Sequence, residues 1–341
     1  MTQSISITRQ GTRAGWIWLA PVLLLLSALA ISHLSVGATK IPLHKVVEAL
    51  VSFDPNDFTH LVVMRLRLPR LFAGLECGAA LAVSGLLLQT LLRNPLAEPH
   101  IIGMNAGASL AVVVSAGLPA TIIPLGLARP TIAAFGAGAL FLFVFFLSSA
   151  GRLGLTMVKF VFCGIALSAL ASAMVSTLLI LDQETLETVR LWLVGDLAGV
   201  SPFDITATLP ILVIAMLAAL LIAPRMDAMA FGDASAIGLG VPVRSTRVIG
   251  LGAAAALSGV AASIAGPIGF IGLIVPHVAA RAVTRSHIQQ LFLSAALGAS
   301  LLLAADIAAR SLIPSREIAT GIMTALVGAP VFLIAVTRMV R

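Results

Sequence analysis

What most constrains this chain is a series of ten apolar stretches. They lie at residues 15–36, 71–91, 101–118, 128–149, 157–181, 203–224, 246–265, 268–281, 290–307 and 320–339. Each reaches or approaches the roughly 20 residues that a helix needs to cross a bilayer. Over 341 residues, hydrophobic side chains make up 59% and charged ones only 10%, whereas an average soluble domain is about 25% charged. So few charges cannot cover a globular surface of this size, and lipid must replace water over most of the outside. Backbone groups in lipid have to be satisfied internally, which leaves helices or a closed barrel. Barrel strands alternate over about 10 residues, but these runs, such as 211–223, stay apolar without alternation. The reading is an all-α integral membrane protein of about ten transmembrane helices, one domain over residues 1–341.

Arg9 and Arg13 precede the first run, and Ala28-Leu29-Ala30 would suit a signal cleavage site. The run exceeds the roughly 7–15 residues of a signal core, so it reads as a retained span. Run eight is the shortest, and its separation from run seven is placed at Gly266-Pro267. Cys77 and Cys163 both fall inside apolar runs and read as reduced core residues.

Orientation follows from the basic residues between runs. With the N-terminus inside, Arg93, Arg152, Lys159, Arg225, Arg244, Arg247, Arg281, Arg285, Arg338 and Arg341 are cytoplasmic. The short outer connections hold Arg129, Arg190, Arg310 and Arg316, with the acids Asp182, Glu184, Glu187 and Asp196. An even number of spans returns the C-terminus inside. The net charge of +7 is thereby assigned to anionic lipid and the positive-inside bias, not to nucleic acid. Trp16, Trp18 and Trp192 stand near span ends, as interfacial aromatics do.

Two connections are long. The external segment 38–70 contains an amphipathic stretch, Leu43 to Val51, then Arg65, Arg67 and Arg70. The cytoplasmic segment 225–245 reads as a short polar helix, Asp233 to Val241, between basic flanks. Small residues at helical spacing, Gly74 with Gly78, Gly103 with Gly107 and Gly321 with Ala325, permit close helix packing in lipid. Ala82-Val83-Ser84-Gly85-Leu86 is echoed by Ala256-Leu257-Ser258-Gly259-Val260. The echo fits a duplication into two pseudo-repeated halves, as in many transporters, and fits chance in so Ala/Gly/Leu-rich a chain.

Enzyme signatures are missing. There is no HExxH, no phosphate loop, and alanine precedes both Ser-Gly pairs where a membrane serine protease would want glycine. Charges deep in spans are few, and each is costly. Glu76 is the clearest: either a pathway-lining acid or, the favoured reading, one paired with a nearby arginine or reaching outer water. Asp306, near the outer end of run nine, reads as snorkelling. So few buried carboxylates argue against an ion-coupled carrier.

Several segments together resemble the FecCD-type permease family, the membrane subunits of ABC importers for iron–siderophore complexes, haem and vitamin B12. They are Arg67-Leu-Pro-Arg70; Gln89 and Arg93-Asn-Pro-Leu-Ala-Glu-Pro99, then Ile102-Gly-Met-Asn-Ala-Gly-Ala108; Trp192-Leu-Val-Gly195; Gly232-Asp-Ala through Leu239-Gly-Val241; Gly266-Pro through Pro276-His277; Ala305-Asp-Ile-Ala-Ala-Arg310; and Gly328-Ala-Pro-Val-Phe332. They run in family order over nearly the whole chain. Two departures are Glu76, where the family usually has an uncharged residue, and 315–321, which lacks a proline often found there.

The resemblance implies ten helices per subunit and a second permease subunit, identical or homologous. It further implies two cytoplasmic ATPase subunits and a periplasmic substrate-binding protein, with the chain multi-pass in the bacterial inner membrane and both termini cytoplasmic. Arg67, Arg70 and Arg310 would face outward and meet acids on the binding protein. Asn94, Leu96 and, more loosely, Thr156 would form the gate region, with Glu76 a pathway candidate. Asp233, Ala234, Gly238, Leu239, Gly240 and Val241 would form the coupling element against the ATPase. The chain would bind no cofactor or metal of its own, because ATP is used by partner subunits and iron would arrive wrapped in its chelator. The cargo expected is a ferric siderophore. Vitamin B12 or haem in the same importer type, and a stand-alone secondary carrier of a small solute, are the alternatives.

Overall fold

The computed structural model describes residues 10–37, 39–100, 102–118, 129–150, 156–284, 286–313 and 317–339. Arg152, Arg285, Arg316 and Arg341, used above for orientation, and Arg9 before the first run lie outside the described residues. In chain order the helices are α1 (Gln10–Ser35), α2 (Leu43–Val51), α3 (Phe58–Val62), α4 (Leu68–Leu92), α5 (Met104–Ala116), α6 (Arg129–Ser149) and α7 (Met157–Leu181). There follow α8 (Gln183–Val194), α9 (Pro202–Met229), α10 (Asp233–Gly238), α11 (Val243–Ala265), α12 (Ile271–Ala282), α13 (His287–Ser311) and α14 (Thr320–Met339). A π-helical turn, Val63–Arg67, joins α3 to α4.

Seven of these helices are long and apolar enough to cross a membrane, and α5, α12 and the first part of α14 are shorter apolar helices. These ten fall on the ten apolar runs. The break at Gly266-Pro267 is where expected, since α11 stops at Ala265. α9 runs one turn further than the sequence suggests, to Met229. α8 was not foreseen as a helix. Its start is nonetheless written in the sequence: Asp182 accepts the backbone N–H groups of Glu184 and Thr185 at 3.1 Å, a carboxylate cap with an acid in the first turn. The Thr185 hydroxyl and those N–H groups hold the Asp182 carboxyl below its usual range.

The centre of the bundle is α4, packed between α11 and α13. Both neighbours run antiparallel to it. Arg70 meets Asp306 and Gly78 meets Gly298, while Ser84 donates to Ala254 O at 2.7 Å and Cys77 lies against Ala261 O. A helix enclosed on all sides in lipid needs small residues so that backbones can approach. At Gly78 a Cβ would strike the backbone of Gly298, and at Gly85 that of Gly272. The most apolar window of α4 is 83% buried and that of α11 78%, against 11% for α1 and 17% for α7. The former are therefore core helices, and the latter offer their faces to lipid or to another chain.

The two echoed segments lie in equivalent places. α4 and α11 each end in a non-helical stretch followed by a short helix, α5 or α12. Gly272 packs on Gly85, seven residues before the end of α4. At 1.5 Å per residue, α12 therefore starts about 10 Å inside the bundle. One expectation is corrected. Trp192 is 7% exposed, unlike Trp16 and Trp18 at 47% and 54%. It is covered by the α11–α12 turn, where Gly266 lies against its carbonyl, so it is a packing residue.

Candidate functional site

At the end where α4 begins, α1, α4, α13 and α14 converge on Asp306, which is fully buried. Arg70 grips its carboxylate with Nε (3.1 and 3.2 Å) and Nη2 (2.9 Å). Arg310 Nε reaches it at 3.0 Å, His33 Nε2 at 2.8 Å and the Thr320 hydroxyl at 2.7 Å. Arg70 also meets Glu317 at 2.8 Å and Asp196 at 3.5 Å. Arg67 takes a different course and donates to two carbonyls, Leu34 O at 2.7 Å and Thr39 O at 2.5 Å.

The structure brings Arg67, Arg70 and Arg310 together and buries them at 5%, 8% and 5% exposure. The snorkelling reading of Asp306 is wrong, because its partners are inside the bundle. Acids of this chain itself, Asp306, Glu317 and Asp196, already stand beside Arg70. A cleft of about 320 Å³ opens over them, lined by Arg65, Arg67, Arg70, Arg310 and Glu317 among others. Four arginines and the carboxylate of Glu317 line it, and of those arginines Arg65 is exposed.

Glu76 lies elsewhere, eight residues into α4 and buried at 6%. It accepts from the Thr208 hydroxyl of α9, at 3.0 Å, and not from an arginine. Sixteen residues separate it from Leu92, about 24 Å along the helix. It is therefore not brought to the Asn94 region.

The non-helical stretches carry polar groups whose role the sequence reading left unassigned. Backbone away from water must find partners. Glu98 accepts the N–H of Phe270, which has a left-handed φ of 71° just before α12. Gln89 donates to Gly272 O at 3.0 Å and Leu273 O at 3.2 Å. Asn105 reaches His100 at 3.2 Å and Ile268 O at 3.5 Å. Side chains from the end of α4 to the start of α5 thus satisfy backbone from the α11–α12 connection into α12. Gln89, Glu98 and Asn105 all stand inside the quoted family motifs, which was the signal available.

At the opposite end, α4 finishes in a left-handed Arg93 (φ 48°), and Asn94 N–H bonds back to Gln89 O. Asn94 Oδ1 accepts the Leu96 N–H at 3.0 Å, closing a tight turn that leaves Leu96 38% exposed. Thr156 caps α7, accepting from Lys159 N–H at 3.4 Å. Among the described residues, no hydrogen bond joins Thr156 to that turn. α10 is a six-residue helix between Gly232 (φ 108°) and Gly240 (φ 78°). Of its residues only Ala236 is buried. The large side chains presented on and beside it are apolar, with Phe231 at 80%, Ile237 at 63% and Leu239 at 70% exposure. The segment read as polar therefore exposes large apolar side chains, with Phe231 and Ile237 beside Asp233, Ala234, Gly238, Leu239, Gly240 and Val241. Among the described residues, no three His, Cys, Asp or Glu side chains gather as metal ligands would.

The profile of the FecCD transport family matches residues 23–338. The ferric enterobactin transport system permease protein FepD of Escherichia coli is 36% identical, aligned over 100% of this chain and 99% of its own. The Fe(3+)-citrate import system permease protein YfmD of Bacillus subtilis is 37% identical, with 88% of each chain aligned. Among solved structures, an inward-facing transporter described as of the metal-chelate ABC type superposes with a TM-score of 0.80 at 29% identity. That match covers 94% of this chain and 98% of that one.

Proposed function

This chain belongs to the FecCD transport family, and from that premise we propose that it is the permease subunit of an ATP-driven importer that takes up a ferric siderophore. The observation that carries the reading is the pair of surfaces at opposite ends of one bundle. The arginine cleft over Asp306 suits an acidic protein partner. The apolar loop around α10 suits a soluble partner that covers Phe231, Ile237 and Leu239. The first partner is a periplasmic binding protein and the second an ATPase subunit, one for each of two permease chains. This puts the Arg70 end outside, the α10 end and both termini in the cytoplasm, and makes the Arg93–Leu96 turn and Thr156 the inner gate. Relatives named for ferric enterobactin and Fe(3+)-citrate support an iron chelate as cargo. The energy source lies in the partner, since this chain has no phosphate loop.

The deciding experiment is uptake of radio-iron-loaded siderophore by vesicles holding this permease, with and without its co-encoded ATPase and binding protein. Uptake should require ATP and all three components, and should survive collapse of the proton gradient. Gradient-driven uptake by the permease alone would make it a secondary carrier.

A further inference from the structure

Asp233 opens α10, yet its carboxylate is held by residues of the bundle. Oδ1 accepts from Arg93 Nη2 at 2.6 Å and Arg247 Nη2 at 3.0 Å, and Oδ2 accepts from Arg247 at 2.8 Å. The same Arg93 nitrogen donates to Met229 O, the last residue of α9, at 2.9 Å. Arg93 is the residue that ends α4, directly before Asn94-Pro95-Leu96, and Arg247 lies near the start of α11. One carboxylate therefore gathers the ends of α4, α9 and α11 beneath α10.

α10 needs such an anchor. Six residues are far too few for an independent helix. Both flanking glycines have positive φ, so the loop could pivot at either side without moving the bundle. Only Ala236 packs inward. Charge-assisted hydrogen bonds at these lengths are stiff and directional, while partly exposed ion pairs add little to global stability. The tie can thus be removed without unfolding the helices it joins.

We infer that Asp233 is a positioning residue that carries displacement of α10 through Arg93 into the Asn94–Leu96 turn, and does not itself contact the ATPase. The inference rests on the importer reading above. Push or pull on the exposed Ile237 and Leu239 would then reach the end of α4 through the Asp233–Arg93 hydrogen bond, with Arg247 sharing the load into α11.

A double-mutant cycle tests this in purified complexes with the ATPase, reconstituted in nanodiscs. The readout is the ratio of ATP hydrolysis with siderophore-loaded binding protein to that without it, normalised to assembled complex. Asp233→Asn and Arg93→Gln should each lower the ratio at least about fivefold, and the double variant should be no worse than the more severe single one, since both break the shared Asp233–Arg93 bond. Asp233→Glu and Arg93→Lys should keep at least about half of the stimulation, which also covers the case that a neutral variant folds poorly. Additive losses, full stimulation in Asp233→Asn, or loss of the ATPase from Asp233→Asn complexes on size exclusion would each overturn the tie. A wild-type complex that neither assembles with the ATPase nor responds to ligand would overturn the importer reading and the tie with it. A responsive wild type beside an equally responsive Asp233→Asn overturns the tie alone.

Discussion

Asp306 receives Arg70, Arg310, His33 and the Thr320 hydroxyl at full burial, so two fixed positive charges share one carboxylate. Removing one partner of a buried ionic group typically costs about 3–5 kcal/mol, because the remaining charge is left without compensation. Asp306→Asn should therefore shift an SDS mixed-micelle unfolding titration well toward lower detergent fraction, and an unchanged midpoint would show that Glu317 and Asp196 suffice. The same geometry relocates the docking test. Replacing Arg70 or Arg310 would disrupt this cluster as well as any partner contact. Arg65, exposed on the cleft wall, forms no ion pair among the described residues. Arg65→Glu should weaken binding-protein association at low salt by about tenfold, or roughly 1.4 kcal/mol, with the loss shrinking as salt screens it. Equal affinity at low salt would remove the cleft from the docking surface.

Among elements, α10 shows why placement matters more than residue type. Gly238 and Gly240 look interchangeable in sequence. Gly240 has a φ of 78°, where a side chain is strained, whereas Gly238 is helical with open space around it. Gly238→Trp is thus the clean perturbation: the bundle should fold, while ligand-stimulated ATP hydrolysis should be lost because the indole occupies the surface beside Ile237 and Leu239. Undiminished stimulation would count against coupling through this loop. The interlock of α4–α5 with α11–α12 teaches a related lesson. Gln89 and Glu98 matter because they satisfy the backbone of a helix more than 170 residues away, and such a pairing has no local trace.

For the whole molecule, the bundle separates a charged cleft from an apolar loop by the length of α4, 25 residues or about 38 Å. That separation suits partners on opposite sides of one membrane. Cysteine introduced at position 55 should react with an impermeant thiol reagent applied outside intact cells, and at position 235 only after permeabilisation. The reverse pattern would invert the orientation and every role assigned by side.

The sequence by itself determined the architecture. Ten apolar runs in a chain with so few charges leave only spanning helices, because lipid offers the backbone no partners and each helix satisfies itself locally. The positions of α2 and α10 were legible for the same reason, since amphipathic spacing and flanking breakers are local properties. Tertiary structure decided which charges are free. Arg65, Arg67, Arg70 and Arg310 are equivalent in sequence, yet one is exposed, one is spent on carbonyls and two are neutralised by an acid 236 residues from Arg70. It also decided that Glu76 belongs to Thr208 and Asp233 to Arg93. Electrostatic partnership depends on distance in space, and the antiparallel packing that sets those distances is fixed by where glycine lets two helix backbones touch.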